Sequence, residues 1–116
     1  MPKPLHHPER HQITLSGVLE AFSDPIRREI VEQLARRGEV YCSAFLNSAS
    51  KTNLSYHLAR LRTAGVLRVR PEGTRRVLSL RTDDLETRFP GLLRAVLANA
   101  RRERARSSRM TSGSRR

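Results

Sequence analysis

Apolar residues recur along this chain at helical spacing in several stretches and at every second position in one. Ile13, Leu15, Val18, Leu19 and Phe22 predict a first amphipathic helix over 13–22. Ser23-Asp24-Pro25 interrupts it, with Asp24 suited to an N-cap and Pro25 to a first helical position. The second helix then turns Ile26, Ile30, Val31 and Leu34 inward and Arg27, Arg28, Glu29, Glu32 and Arg36 outward, and Gly38 stops it. Val40-Tyr41-Cys42 reads as extended chain running into a short helix around 43–46, and Asn47-Ser48-Ala49 as a turn. Over 50–65, Leu54, Leu58 and Leu61 form one apolar stripe, with Ser50 as cap and Gly65 as a left-handed stop.

Beyond Gly65 the period changes to two. Leu67 and Val69 alternate with Arg68 and Arg70, Pro71-Glu72-Gly73-Thr74 is a turn, and 75–81 returns as a second strand. Asp83 or Asp84 opens a short helical turn before Pro90, and Leu92, Leu93, Val96, Leu97 and Ala100 predict a last amphipathic helix over 91–103. Helix, helix, short helix, longer helix, β-hairpin, terminal helix is the order of a winged helix-turn-helix: mainly α, with a hairpin wing. The outer helices have apolar faces without evident intrachain partners. They predict a homodimer joined through Ile13, Leu15, Val18, Leu92, Leu93, Val96 and Leu97.

Composition sharpens this. At 116 residues, 37% hydrophobic and without Trp, the chain has one domain with a small core. A net charge of +12 points to a polyanionic partner. Residues 1–11 read as a flexible arm, 12–103 as the DNA-binding and dimerisation domain, and 104–116 as a disordered Arg-rich tail. No run of apolar residues is long enough to span a membrane, and the N-terminal stretch lacks the apolar core of a secretory signal. A single cysteine, Cys42, precludes an intrachain disulfide and suits a reducing cytoplasm.

The chain resembles the ArsR/SmtB family of bacterial transcriptional repressors. The resemblance lies in Phe22-Ser23-Asp24-Pro25-Ile26-Arg27-Arg28-Glu29-Ile30, in Leu54-Ser55-Tyr56-His57-Leu58 with Leu61 and Ala64-Gly65-Val66-Leu67, and in Glu72-Gly73-Thr74-Arg75 at the wing tip. It covers about residues 13–100 and implies a homodimer on a palindromic operator, with one recognition helix per half-site. Two departures stand out. Many members carry Cys-x-Cys near the third helix, where this chain has Val40-Tyr41-Cys42-Ser43-Ala44, and others use Asp and His on the terminal helix, where 92–104 has neither. The family's usual trigger therefore does not carry over.

The residues themselves supply the candidates. Ser50, Lys51, Thr52, Asn53, Ser55, Tyr56 and His57 lie near the front of the recognition helix, largely off its apolar stripe; Asn suits adenine, and Thr a thymine methyl. Arg60, Arg70, Arg75 and Arg76 are the backbone and wing candidates. His6, His7 and His11 offer imidazoles for nickel or zinc, against the alternative of scattered histidines on an arm. Cys42 is a thiol sensor, a single metal ligand or an intermolecular disulfide partner, against the alternative of a small buried apolar residue. The signal then arrives through metal or thiol, or through a sensor or co-regulator protein docking on the basic tail. A small basic RNA-binding protein is the rival of another class, disfavoured by the wing and by the lack of an aromatic platform. No nucleophile with its base, paired carboxylates or phosphate loop suggests an enzyme.

Overall fold

The structure, a computed structural model, describes residues 5–45 and 51–113, without the side chains of Lys51 and of 108–113. A short 3-10 turn, Arg10–Gln12, precedes helix α1 (Leu15–Ala21). Thr14 caps α1 by accepting the Gly17 N–H at 3.1 Å. Helix α2 (Pro25–Arg37) starts as the sequence predicts: the Asp24 carboxylate accepts the N–H groups of Ile26 at 2.8 Å and Arg27 at 3.3 Å, with Pro25 in the first turn. Gly38 closes it with φ +79°.

Strand β1 (Val40–Tyr41) leads into a 3-10 turn, Cys42–Phe45. The predicted turn at 47–49 and the Ser50 cap lie outside the described residues. Helix α3 (Lys51–Thr63) is followed by β2 (Leu67–Glu72), β3 (Arg75–Leu80), α4 (Thr82–Arg88) and α5 (Leu92–Gly113). The strands form one antiparallel sheet in the order β1-β3-β2, with Val69 opposite Leu78 and Val40 on that residue's other side. The wing is thus a hairpin widened by a two-residue third strand. Pro71 is tolerated because β2 is an edge strand.

Leu54, Leu58 and Leu61 of α3 pack into a single core with Val18, Ile30, Val31, Leu34, Phe45, Val66, Leu67 and Leu78. Ile13, Val18 and Leu93, expected at a dimer surface, belong to this core in the single chain, at 1%, 0% and 7% exposure. Their apolar faces are buried within the chain and are not open to a partner. Leu92, Val96 and Leu97 are half-buried against the same core, while Leu15 is exposed. Leu19, one turn on from Leu15 and absent from the expected interface, is also exposed.

Both expected loose ends are ordered where described. Residues 5–13 lie across the domain as a strap. Leu5 packs on the core, Pro8 is buried, and the carbonyls of His6, Pro8 and Ile13 accept guanidinium N–H groups from Arg62, Arg81 and Arg88. The segment has few apolar side chains of its own; arginines elsewhere in the chain bind its backbone. At the other end, α5 continues to Gly113, ten residues past the predicted stop at 103. Arg104 pairs with the buried Glu32, and Arg28 lies 3.8 Å from Glu103, holding that extension to α2.

Gly65 joins α3 to the wing and has two independent reasons to be glycine. Its φ is +85°, and its N–H and that of Val66 close onto Arg62 O and Leu61 O at 3.1 and 3.0 Å, the Schellman pattern. A Cβ there would sit 2.5 Å from Ile13 Cγ1. Gly65→Ala is expected to destabilise the fold by about 2–4 kcal/mol, from left-handed strain plus overpacking, read as a lower denaturant midpoint at unchanged slope.

Candidate nucleic-acid interface

Helix α3 has a buried back and an open front. With Leu54, Leu58 and Leu61 fixed inward, Thr52, Asn53, Ser55 and Tyr56 are exposed together near its N-terminal end. Tyr56, at 56% exposure, is a large side chain left to solvent. Its ring meets the His57 ring edge-on at 5.3 Å, and the Arg60 guanidinium lies 6.0 Å from its centroid. Ser50 and the Lys51 side chain lie outside the described residues.

His57 is a correction. It was grouped with the DNA-facing residues, yet it is 7% exposed, and its Nδ1 lies 3.1 Å from Arg27 Nη1. The sequence held the signal: His57 comes three residues after Leu54 and four before Leu61, on the buried stripe itself. Arg27 and Glu32, expected to face outward from α2, are corrected too, at 5% and 7% exposure. Long side chains with several donors or acceptors can run inward once partners satisfy them.

The wing presents arginines in two conditions. Arg70 donates to Glu39 and Glu72, each at 3.2 Å, and Glu72 also accepts from the Tyr41 hydroxyl at 2.9 Å. The Tyr41 and Arg70 hydrogen bonds hold the Glu72 carboxyl below its usual range. Arg75 lies over the Tyr41 ring at 4.8 Å. Arg76 is exposed, without an ion pair among the described residues. Sequence reading passed over Tyr41 and Glu39, which anchor the wing from β1 and its approach; no local pattern marks a contact made across a sheet. Arg60, the other backbone candidate, pairs with Glu20 of α1.

The histidine group does not assemble as a metal site among the described residues. Both ring nitrogens of His7 are taken: Nε2 accepts the Val69 N–H at 3.0 Å, so Nδ1 carries the proton and donates to Leu5 O at 3.1 Å. His6 and His11 are exposed, and His11 sits 3.5 Å from Glu9. Cys42 is half-buried, and burial pushes its thiol pKa up, opposed by Arg76; a raised pKa argues against a ready thiolate.

The comparisons with known proteins agree with this geometry. A family described as a helix-turn-helix domain matches residues 22–70, from the end of α1 to the wing. An uncharacterized HTH-type transcriptional regulator, YceK of Bacillus subtilis strain 168, is 33% identical over 82 residues, covering 68% of this chain and 82% of that protein. The crystal structure of an ArsR family transcriptional regulator superposes with a TM-score of 0.58 at 22% identity, over 81% of this chain and 94% of that one. A possible transcriptional regulatory protein from Mycobacterium bovis superposes with a TM-score of 0.56 at 25% identity, over 71% and 88% of the two chains.

His7 gives the strap a dependence on acidity. Burial, with the charges of Arg62, Arg68 and Arg81, lowers its pKa below 6.5 despite the Leu5 carbonyl. A lowered folded pKa means that the stability from this contact is complete above pH 6.5 and is lost as pH falls through the folded value. The protection of the Val69 amide, its exchange rate taken relative to the intrinsic rate at each pH, should therefore fall on acidification from about pH 7 to pH 5, and His7→Leu should flatten the stability profile over that range.

Proposed function

This chain belongs to the helix-turn-helix transcriptional regulators, with a winged fold of the ArsR type, and from that premise we propose how it reads DNA. In this reading α3 enters the major groove with Thr52, Asn53, Ser55 and Tyr56 toward the base edges, and Lys51 and Ser50 toward nearby phosphate. The observation that carries it is the pairing of a solvent-facing polar front with a buried leucine back on one helix, beside a basic hairpin. Arg75 and Arg76 contact the backbone from the wing. Arg70 joins them only by exchanging its Glu39 and Glu72 carboxylates for phosphate, so its contribution is smaller.

The proposed assembly is a homodimer on a palindromic operator, each recognition helix in its own half-site. Leu15 and Leu19 on α1, with the half-buried Leu92, Val96 and Leu97 on α5, supply its apolar surface. Because both ring nitrogens of His7 are held by backbone groups, nickel or zinc sensing loses its central ligand. Control by a sensor or co-regulator protein is the reading carried forward.

Asn53→Ala should weaken binding to a selected operator about tenfold while changing affinity for scrambled duplex little, since a bidentate base contact is worth about 1–3 kcal/mol of discrimination. Equal loss on both duplexes in a titration would remove Asn53 from the reading set. Both affinities should fall steeply as salt rises. Replacing Leu15 and Leu19 by Glu should leave a folded monomer by light scattering; a persisting dimer would place the interface elsewhere.

A further inference from the structure

Arg27 stands in the first turn of α2, buried to 5% exposure, and every nitrogen of its guanidinium is engaged. Nε donates to Ala21 O at 2.7 Å and Nη2 to Glu20 O at 3.2 Å. Both carbonyls belong to the last turn of α1, past the reach of the regular i+4 ladder; Glu20 O also accepts the Ser23 N–H at 3.1 Å and the Ser23 hydroxyl at 2.6 Å. Nη1 lies 3.1 Å from His57 Nδ1. A guanidinium only donates, so Nδ1 accepts and the imidazole is neutral, with its proton on Nε2. One side chain therefore ties the end of α1 and the start of α2 to α3.

Arg62 ties the end of α3 to the strap through His6 O, and the remaining forces on α3 do not fix its angle to α1. Leu54, Leu58 and Leu61 bind by burial, which is non-directional and tolerates small rotations. The Arg60 pair with Glu20 is substantially exposed, and exposed pairs hold geometry weakly. The Arg27 fork is planar and rigid, so its hydrogen bonds do define an orientation. His57 in turn packs edge-on against Tyr56, which faces solvent beside Asn53.

We infer that Arg27 is a positioning residue for DNA reading: through His57 it sets the rotation of α3, and with it Asn53 and Tyr56, relative to α1. The inference rests on the proposed entry of α3 into the major groove. Arg27 never touches DNA in this account. Its loss blurs the angle at which the readers arrive, while the charge that attracts any duplex stays.

The test uses the full chain and two probes, a duplex enriched from a randomised library by the wild-type protein and a scrambled duplex of equal length. Arg27→Lys keeps the charge and loses the fork. It should weaken the enriched duplex about tenfold, the scale of one charge-assisted hydrogen bond, and shift the scrambled duplex less than about twofold. His57→Leu should repeat that split. His57→Asn, whose side-chain oxygen replaces Nδ1 as acceptor, should restore the wild-type ratio. A wild-type ratio in Arg27→Lys and His57→Leu overturns the inference. So does parallel loss on both probes, or failure of His57→Asn to exceed His57→Leu. If Arg27→Lys does not fold, the two His57 variants decide, because they leave the Arg27 bonds to α1 in place. If the wild-type protein enriches no duplex, the DNA-reading proposal itself falls and takes this inference with it, a result distinct from enrichment followed by unchanged variant ratios.

Discussion

Guanidinium groups bound to backbone carbonyls hold the parts of this fold that apolar packing leaves loose. Arg62 donates to His6 O and Arg81 to Pro8 O, each at 2.6 Å, and Arg88 reaches Ile13 O at 2.8 Å. Arg28 meets Phe22 O at 2.7 Å, and Arg27 takes the two carbonyls before it. These acceptors lie at the end of α1 or along the strap, outside the regular helix and sheet ladders, and Glu20 O also accepts the Ser23 N–H. One arginine can satisfy several acceptors from a distance, which suits a small chain without Trp. Burying the charge is costly unless a counter-charge is near. Arg81 has Asp84 at 2.9 Å, and hydrogen bonds from Arg10 and then Arg81 outweigh burial to keep the Asp84 carboxyl below its usual range. For Arg27 the counter-charge is Asp24, the α2 cap. Burial pushes its carboxyl up, but the N–H groups of Ile26 and Arg27, with the charge of Arg27, leave it lowered.

The net charge of +12 consequently has two meanings. At long range it acts as a whole, drawing a polyanion toward the protein regardless of which arginines are engaged. At contact range only uncommitted guanidinium groups count. Arg27, Arg28, Arg62, Arg81 and Arg88 are occupied with backbone, and Arg68 and Arg70 with carboxylates. On the wing that leaves Arg76, and Arg75 over its tyrosine ring. Attraction to any duplex is therefore built from more residues than recognition of a particular one.

The boundaries of α2 and the end of α3 are legible because their causes are local, unlike the extension of α5 to Gly113. Asp24-Pro25, Gly38 and Gly65 each act on the next few residues, and the change of period after Gly65 marks the wing without outside information. What lies off the page of local pattern is partner choice across the chain. Arg27, Glu32 and His57 are polar by type, and only the neighbouring elements make their burial favourable. The strap was misread as an arm for the same reason: its binding energy sits in Arg62, Arg81, Arg88 and the Val69 N–H, far along the sequence. The open front of α3 was read more readily, since exposed polar residues opposite a leucine stripe need no partner to be recognised. His57 is the exception, a polar residue whose place on the leucine stripe decides its burial.

Helix α1 is the element on which these threads meet. It is only seven residues long, too short to be stable by its own hydrogen bonds, so its placement is set by what grips it. Val18 and Ala21 hold it to the core, and Glu20 and Ala21 are gripped through their carbonyls by Arg27. Its remaining apolar side chains, Leu15 and Leu19, face away from the core. A second copy seated on Leu15 and Leu19 would press on a helix whose last turn is joined by Arg27 to His57 of α3. In the proposed dimer the spacing of two recognition helices would then depend on a short, rigid linkage rather than on the compliance of the leucine core.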